Sequence, residues 1–376
     1  MTQKLYAAEF IFPGHPDKLS DAIADALVEQ AWRRDPRALV GVEVAVHRDH
    51  VYLTGRVACP GAADIDVTTL VQEVYRSAGY DEHWYPAPQQ VRVVSNLCLG
   101  PLEVGESEFR ELSDDQAICI GYANHLAATN HLPVEQWLVG AVAKRLYRLR
   151  AEQPELNLGP DGKVLVVVEE HADEVGVPVA WWLRDFSCSL QQRIHADEIA
   201  LHRAVRQALQ QVLAEASSTL SGFSDVLPDH LSVNGAGDFE VGGPEGDNGL
   251  SGKKLVVDAY GPRVPIGGGA WSGKDFFKAD RAGGLHARRL AQMLVRLGLA
   301  QEATVALAWH PGDRSARVVS VLGSSSGSGR LNEAASLFDL SLHSSGTQFN
   351  PGGLVEVARW GHFSNADFPW ERVTKL

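Results

Sequence analysis

Four lysines (Lys253, Lys254, Lys274 and Lys278) and four acids (Asp247, Asp258, Asp275 and Asp280) fall within one glycine-rich stretch, residues 237–284. Glycine weakens helices and central strands alike, so most of that stretch is expected to be loop. Where side chains are absent, backbone N–H groups can close on a ligand as an anion nest. The lysines would neutralise a polyphosphate. The acids could complete a Mg²⁺ site, because Mg²⁺ keeps waters and takes few carboxylates alongside substrate phosphates. The plainer alternative is a surface loop. Gly268-x4-Gly273-Lys274 is nearly a P-loop, but Asp275 stands where a P-loop needs Ser or Thr.

Two further motifs carry the same chemistry. Gly14-His15-Pro16-Asp17-Lys18 stands at a helix start, where unpaired N–H groups and the positive dipole end favour phosphate. There His15 could donate to a phosphoryl or leaving oxygen, Asp17 could ligate a metal and Lys18 could add charge. An ordinary helix cap is the alternative. Pro160-Asp161-Gly162-Lys163 sits at the mouth of a strand, where a plain β-turn is the alternative.

The elements that must position these residues follow from periodicity. Residues 16–34 carry one apolar stripe, Leu19, Ile23, Ala26, Leu27 and Ala31, and predict a helix ended by Asp35-Pro36. Val40, Val42, Val44 and Val46 alternate as in a half-buried strand, and residues 51–57 form the return strand. Helices are predicted near 64–78, 133–151, 196–216, 281–297 and 330–341. Further strands are predicted at 91–99, 164–169, 178–183, 303–309 and 315–322. Residues 100–114 read as a surface loop and 323–329 as a flexible linker. A strand–strand–helix unit recurs at 40–78, 163–216 and 303–341. The expected fold class is therefore α+β, with three similar sheet-plus-helix domains at 1–103, 104–232 and 233–376.

Composition bounds the partners. With 376 residues, 45% of them hydrophobic, the chain can bury ample core. A net charge of −13 argues against nonspecific nucleic-acid binding, which needs a basic face. No apolar run approaches the roughly 18 residues of a membrane span. The first twelve residues lack a signal-peptide pattern. Cys59, Cys98, Cys119 and Cys188 are widely spaced, which fits reduced thiols and a cytoplasmic setting.

The motifs together resemble the methionine adenosyltransferase (S-adenosylmethionine synthetase) family over essentially the whole chain. The resemblance rests on residues 14–18, Asp115-Gln116 with Gly121-Tyr122-Ala123, Gly242-Gly243-Pro244 with Gly246-Asp247, and the block from Gly267 to Asp275. Lys278, Asp280 and Arg281, Gly361-His362-Phe363 and residues 368–371 continue it. It implies three α+β domains with approximate threefold symmetry, in a homodimer or homotetramer with shared active sites. It also implies a thioether acceptor that attacks C5′ of ATP, displacing a triphosphate that is then hydrolysed. Carried over by position, His15, Lys163, Lys274 and Asp247 would be catalytic. Asp161, Phe239, Lys253, Lys254, Gly268, Ala270 and Lys278 would join His15, Lys163 and Lys274 in binding ATP, with Phe239 on the adenine. Asp17 and Asp280 would hold Mg²⁺ and Glu43 would hold K⁺. Arg56, Gly100, Asp115, Asp247 and Trp309 would face the acceptor.

The phosphate half matches this pattern and the acceptor half departs from it. Arg56 stands where the family has a glutamate, Gly100 where it has a glutamine, and Trp309 where it has a short apolar residue. The loop from Ser95 to Asp115, a mobile lid in the family, is several residues shorter. If Asp49-His50 is the hairpin turn, Arg56 faces Glu43 and could stand in for K⁺, which predicts K⁺-independence. Arg56 would also favour an acceptor with an extra anionic group. Two alternatives therefore stand beside formation of S-adenosylmethionine: transfer to a more anionic acceptor, and a noncatalytic ATP-binding protein.

Overall fold

The computed structural model describes residues 2–323, 333, 336 and 338–372. Half of the expected helix near 330–341, and all but the first residue of the expected linker at 323–329, lie outside these. Among the described residues the strands form three sheets. The first has the order β4 (Arg92–Gly100), β3 (His50–Ala58), β2 (Leu39–His47), β9 (Gly249–Leu250). The second has the order β1 (Thr2–Ile11), β6 (Leu158–Ala172), β7 (Pro178–Gln192), β8 (His230–Val233). The third has the order β11 (Arg317–Gly323), β10 (Glu302–Trp309), β5 (Ala117–Asn124). Pairing is antiparallel except for β3 with β4 and β7 with β8.

Each sheet buries one face under helices, as an α+β fold requires. The valines of β2 pack against Leu19, Ile23 and Leu27 of α1 (Pro16–Arg34) and Val71 and Val74 of α2 (Val67–Ser77). The second sheet packs on α3 (Val134–Glu152) and α4 (Glu198–Thr219). After the short α5 (Leu255–Asp258), α6 (Ala279–Arg296) covers the third sheet through Ala282, Leu290 and Leu294. Two more short helices, α7 (Leu342–Gln348) and α8 (Leu354–Trp360), follow. No described helix is long and apolar enough to cross a membrane. All four cysteines are free.

Among the described residues the strand–strand–helix unit is seen as β2-β3-α2 and as β6-β7-α4, while of the third copy the strands β10 and β11 are seen; the sheets do not divide the chain into contiguous thirds. Strand β1, from the first third, pairs with β6 over ten registered positions. Strand β5 belongs to the third sheet, and β9 closes the edge of the first. Apolar area and unpaired edge groups decide strand pairing, and sequence distance does not enter.

Helix α1 is buried on nearly every side. His15 is its N-cap and Pro16 its first residue, where a missing N–H costs nothing. Its middle is tied to α6 through charge. Arg281 of α6 forks onto Asp25 of α1 at 2.7 and 2.9 Å, with both side chains fully buried. Arg288, also on α6, forks onto Glu371 at 3.0 Å on both arms. Breaking a buried pair from one side leaves an uncompensated charge and costs about 3–5 kcal/mol. Arg281→Met is therefore expected to lower the unfolding free energy obtained from urea titration by an amount in that range. An unchanged midpoint would show that the pair is not a strut.

Candidate active site

Three aspartates spaced four apart on α1 (Asp17, Asp21 and Asp25) lie along one helix face. Each accepts a backbone N–H from the glycine-rich stretch. Leu250 donates to Asp17 Oδ1 at 3.0 Å, Gly252 to Asp21 Oδ1 at 2.7 Å and Gly273 to Asp25 Oδ1 at 3.0 Å. These amides therefore fasten the loops to the helix and do not form the expected anion nest. Burial, and then the neighbouring Asp258, raise the Asp21 carboxyl well above the usual range.

At the N-terminus of α1 a cavity of about 390 Å³ is lined by His15, Asp161, Lys163, Phe239 and Asp247. That volume lies within the roughly 300–1,000 Å³ of small-molecule sites. Two glycines permit the approach of its walls. A Cβ on Gly14 would sit 2.4 Å from the Pro160 carbonyl oxygen. Gly243, at φ +61, would drive a Cβ into the Tyr80 hydroxyl, which donates to the Gly14 carbonyl at 2.7 Å. The Gly243 N–H donates to Asp161 Oδ2 at 2.7 Å, so Asp161 holds the wall. The half-buried Phe239 borders the cavity, and Asp247 stands exposed at its rim.

His15 Nδ1 accepts from the Asp17 N–H at 3.2 Å. Burial lowers its pKa and outweighs the nearby carboxylates of Asp161, Asp17 and Asp247. The imidazole is then neutral at pH 7, and its 3.8 Å approach to Asp17 Oδ2 is not an ion pair there. With Nδ1 accepting, the proton sits on Nε2, which leaves one N–H donor.

Each candidate phosphate-binding lysine meets a carboxylate. Glu9 of β1 lies 2.5 Å from Lys163 Nζ and 3.2 Å from Lys254 Nζ. Lys253 lies 3.4 Å from Asp17 Oδ1, Lys274 pairs with Asp280, and Lys278 pairs with Asp114. Burial raises the Glu9 carboxyl, but the two lysines outweigh it and hold its pKa below the usual value. Among the described residues no three His, Cys, Asp or Glu side chains form a metal cage. A Mg²⁺ site needs only one or two carboxylates beside substrate oxygens. Asp17 fits that need: it is 1% exposed and its Oδ2 has no hydrogen-bond partner. Gly268 is open to solvent, and Ala270 is half-buried against Gly252.

Several expectations are corrected. The hairpin turn is Arg48-Asp49, with Arg48 at φ 52, so His47 pairs with His50. Glu43 then faces Thr54 and accepts from Ser251 Oγ at 2.5 Å, while Arg56 faces Gly41. Arg56 forks onto Glu106 at 2.9 and 2.8 Å and lies 3.4 Å from Glu103, so it neither replaces a cation at Glu43 nor stands free for an anionic acceptor. Trp309 is 1% exposed and fills the core of the third sheet rather than lining a pocket. Gly100 accepts from the Cys59 N–H at 3.0 Å, at the end of β4. The Asp115 side chain accepts from the Gln116 N–H at 2.7 Å, away from the cavity lining.

Lys18 and Asp258 pair with each other in the interior, so neither serves a ligand. Asp275 accepts from the Val40 N–H at 2.7 Å and from Arg110 at 2.6 Å, which makes it a strut. Arg110, buried, also donates to the Arg37 and Ala38 carbonyls, and so pins the 101–114 segment to the first sheet. Sequence reasoning missed Glu9, Asp114, Asp21 and Asp25. For the last two, the four-residue spacing of aspartates was the available signal.

Comparison with known proteins identifies the family. Residues 3–98 match the S-adenosylmethionine synthetase N-terminal domain family, and residues 241–372 match the C-terminal domain family. The chain is similar to the S-adenosylmethionine synthase of Petrotoga mobilis, at 31% identity across 100% of this chain and 98% of the relative. It is also similar to that of Gloeobacter violaceus, at 30% identity across 100% and 97%. The synthase of Nostoc punctiforme is 29% identical across 99% and 94%.

The His15 geometry has a direct readout. Its imidazole resonance, assigned by its loss in His15→Ala, is expected to titrate below pH 6.5, with the Nε2–H tautomer at pH 7. A midpoint above 6.5 would mean that the carboxylates outweigh burial.

Proposed function

The chain belongs to the S-adenosylmethionine synthetase family, and from that premise we propose that it forms S-adenosylmethionine from ATP and L-methionine, releasing phosphate and pyrophosphate. The observation that carries this reading is the cavity that brings His15, Lys163, Phe239 and Asp247 together at the start of α1. The methionine sulfur forms a bond to C5′ of ATP as the C5′–O bond breaks, and the electron pair leaves with the triphosphate. Hydrolysis of the triphosphate follows.

Phe239 offers a ring to the adenine, and Asp247 at the rim serves the acceptor's ammonium or the ribose. His15 donates its Nε2 proton in a hydrogen bond to the departing oxygen. Lys163, Lys253, Lys254, Lys274 and Lys278 supply fixed positive charge where negative charge develops, the largest contribution such a site makes. Asp17 and Asp280 would hold Mg²⁺, which when bound supplies further charge for the leaving triphosphate. Glu43 is the candidate K⁺ ligand, and the argument for K⁺-independence falls with the Arg56 register. A more anionic acceptor loses its support for the same reason. A homodimer or homotetramer in the cytoplasm belongs to the same reading. The oligomer is supported by an exposed apolar face on the first sheet, where Tyr52, Val94 and Leu250 line an open groove.

Incubation with ATP, L-methionine and Mg²⁺ is expected to yield S-adenosylmethionine by mass spectrometry. His15→Ala and Lys274→Ala are each expected to lower kcat by about 10²-fold or more, the scale of a lost transition-state hydrogen bond or fixed charge. Consumption of ATP without S-adenosylmethionine, or full rates in both variants, would overturn the proposal.

A further inference from the structure

Glu9 has no role of its own in the chemistry above, yet it pairs with two of the lysines proposed to hold phosphate. It lies on β1, opposite Leu165 and two residues before Ile11, which pairs with Lys163. Its two oxygens are divided between two lysines that arrive from different elements. Lys163, from β6, takes Oε2 at 2.5 Å, and Lys254, just before α5, takes Oε1 at 3.2 Å. A carboxylate between two ammoniums is an anion with two acceptor oxygens, the kind of partner that a phosphoryl group would also offer to the same pair. The pattern extends across the cluster. Asp17 answers Lys253, Asp280 answers Lys274, and Asp114 answers Lys278.

We propose that Glu9 is a phosphate placeholder that makes binding of the polyphosphate dependent on binding of the metal. The inference rests on the function proposed above. A triphosphate entering the cluster takes Lys163 and Lys254 from Glu9. Without a cation, the displaced carboxylate then stands beside a highly charged anion, at a distance where repulsion is large in a partly buried setting. Asp17 and Asp280 meet the same conflict when their lysines turn to phosphate. A divalent cation entering with the triphosphate gives those carboxylates a partner, so charge is exchanged and none is stranded. A cation arriving alone meets carboxylates already neutralised by ammonium groups. Each ligand therefore raises the affinity for the other, and by linkage the two enhancements are equal. Glu9 also keeps the cluster from holding metal-free polyphosphate, and so selects the metal complex as substrate.

The test is calorimetric titration of the full chain with inorganic tripolyphosphate, once in EDTA and once in excess Mg²⁺, for the native protein, Glu9→Gln and Glu9→Asp. Glu9 is about one-third exposed at its side chain, so these changes leave the core untouched. Thermal unfolding checks that they do, and Glu9→Ala replaces Glu9→Gln if that variant melts early. The native protein is expected to bind tripolyphosphate much more tightly with Mg²⁺ than without it. Glu9→Gln is expected to bind the metal-free anion about 5-fold or more tightly than the native protein, the low end of usual site–site coupling, and to lose Mg²⁺ enhancement by the same factor. Glu9→Asp, which keeps the charge, is expected to keep the enhancement. Metal-free affinity unchanged or weaker in Glu9→Gln, with native binding intact, would overturn the placeholder role alone. No binding by the native protein even in Mg²⁺ would overturn the proposed function, and this inference with it.

Discussion

The three hydrogen bonds from the glycine-rich stretch to Asp17, Asp21 and Asp25 are the constraint on which the site depends. A loop with so many glycines loses more conformational freedom on ordering than any other kind of segment. It needs fixed acceptors, and one helix face supplies them at every turn. Because α1 is itself buried between the first sheet and the short C-terminal helices, the acceptors do not move. The loops thus inherit the rigidity of the helix. Lys253 and Lys254 follow the second bond, and Lys274 follows the third.

The same ladder explains why the interior tolerates so much charge. Asp25 is answered by Arg281, Asp258 by Lys18, and the Asp21 carboxyl is pushed toward its neutral form. A buried carboxylate without such a partner would be costly. His362, stacked edge-on against Trp271 and held neutral by burial and by Arg281, closes this layer. The motif positions Lys18, Asp258, Asp275 and His362 are thus internal struts, while Lys163, Lys253, Lys254, Lys274 and Lys278 keep partly exposed side chains paired with carboxylates. In the proposed function, phosphate recognition therefore falls to side-chain ammoniums, since the Leu250, Gly252 and Gly273 amides are bound to α1.

Much of this was legible in the sequence because it is local. The cap at His15-Pro16, the alternation of valines in β2 and the loop character of residues 237–284 follow from neighbours only. The pairing of β1 with β6 and of β5 with β10 was not legible, because hydrogen bonding between distant segments leaves no local mark. Glu9 stayed hidden for that reason, since its lysines lie in other elements. The Arg56 error was smaller in origin. Arg48 adopts a left-handed conformation that favours glycine or asparagine, and that choice moved the register by two residues. Trp309 was read as a pocket residue by position, but the small residues of α6 beneath it make room for the indole in the core. A Cβ on Gly283 would lie 2.7 Å from its Nε1.

A cluster of fixed cations around a neutral histidine is suited to holding a triphosphate as it departs from carbon, because the charge that develops there falls on the leaving oxygens. ATP labelled with ¹⁸O at the 5′ oxygen tests that departure directly. Attack at C5′ predicts that the label leaves with the phosphates and is absent from the adenosyl product. Label retained on the nucleoside would mean that a phosphorus–oxygen bond is cleaved instead, and the account of the site as a leaving-group cradle would be wrong.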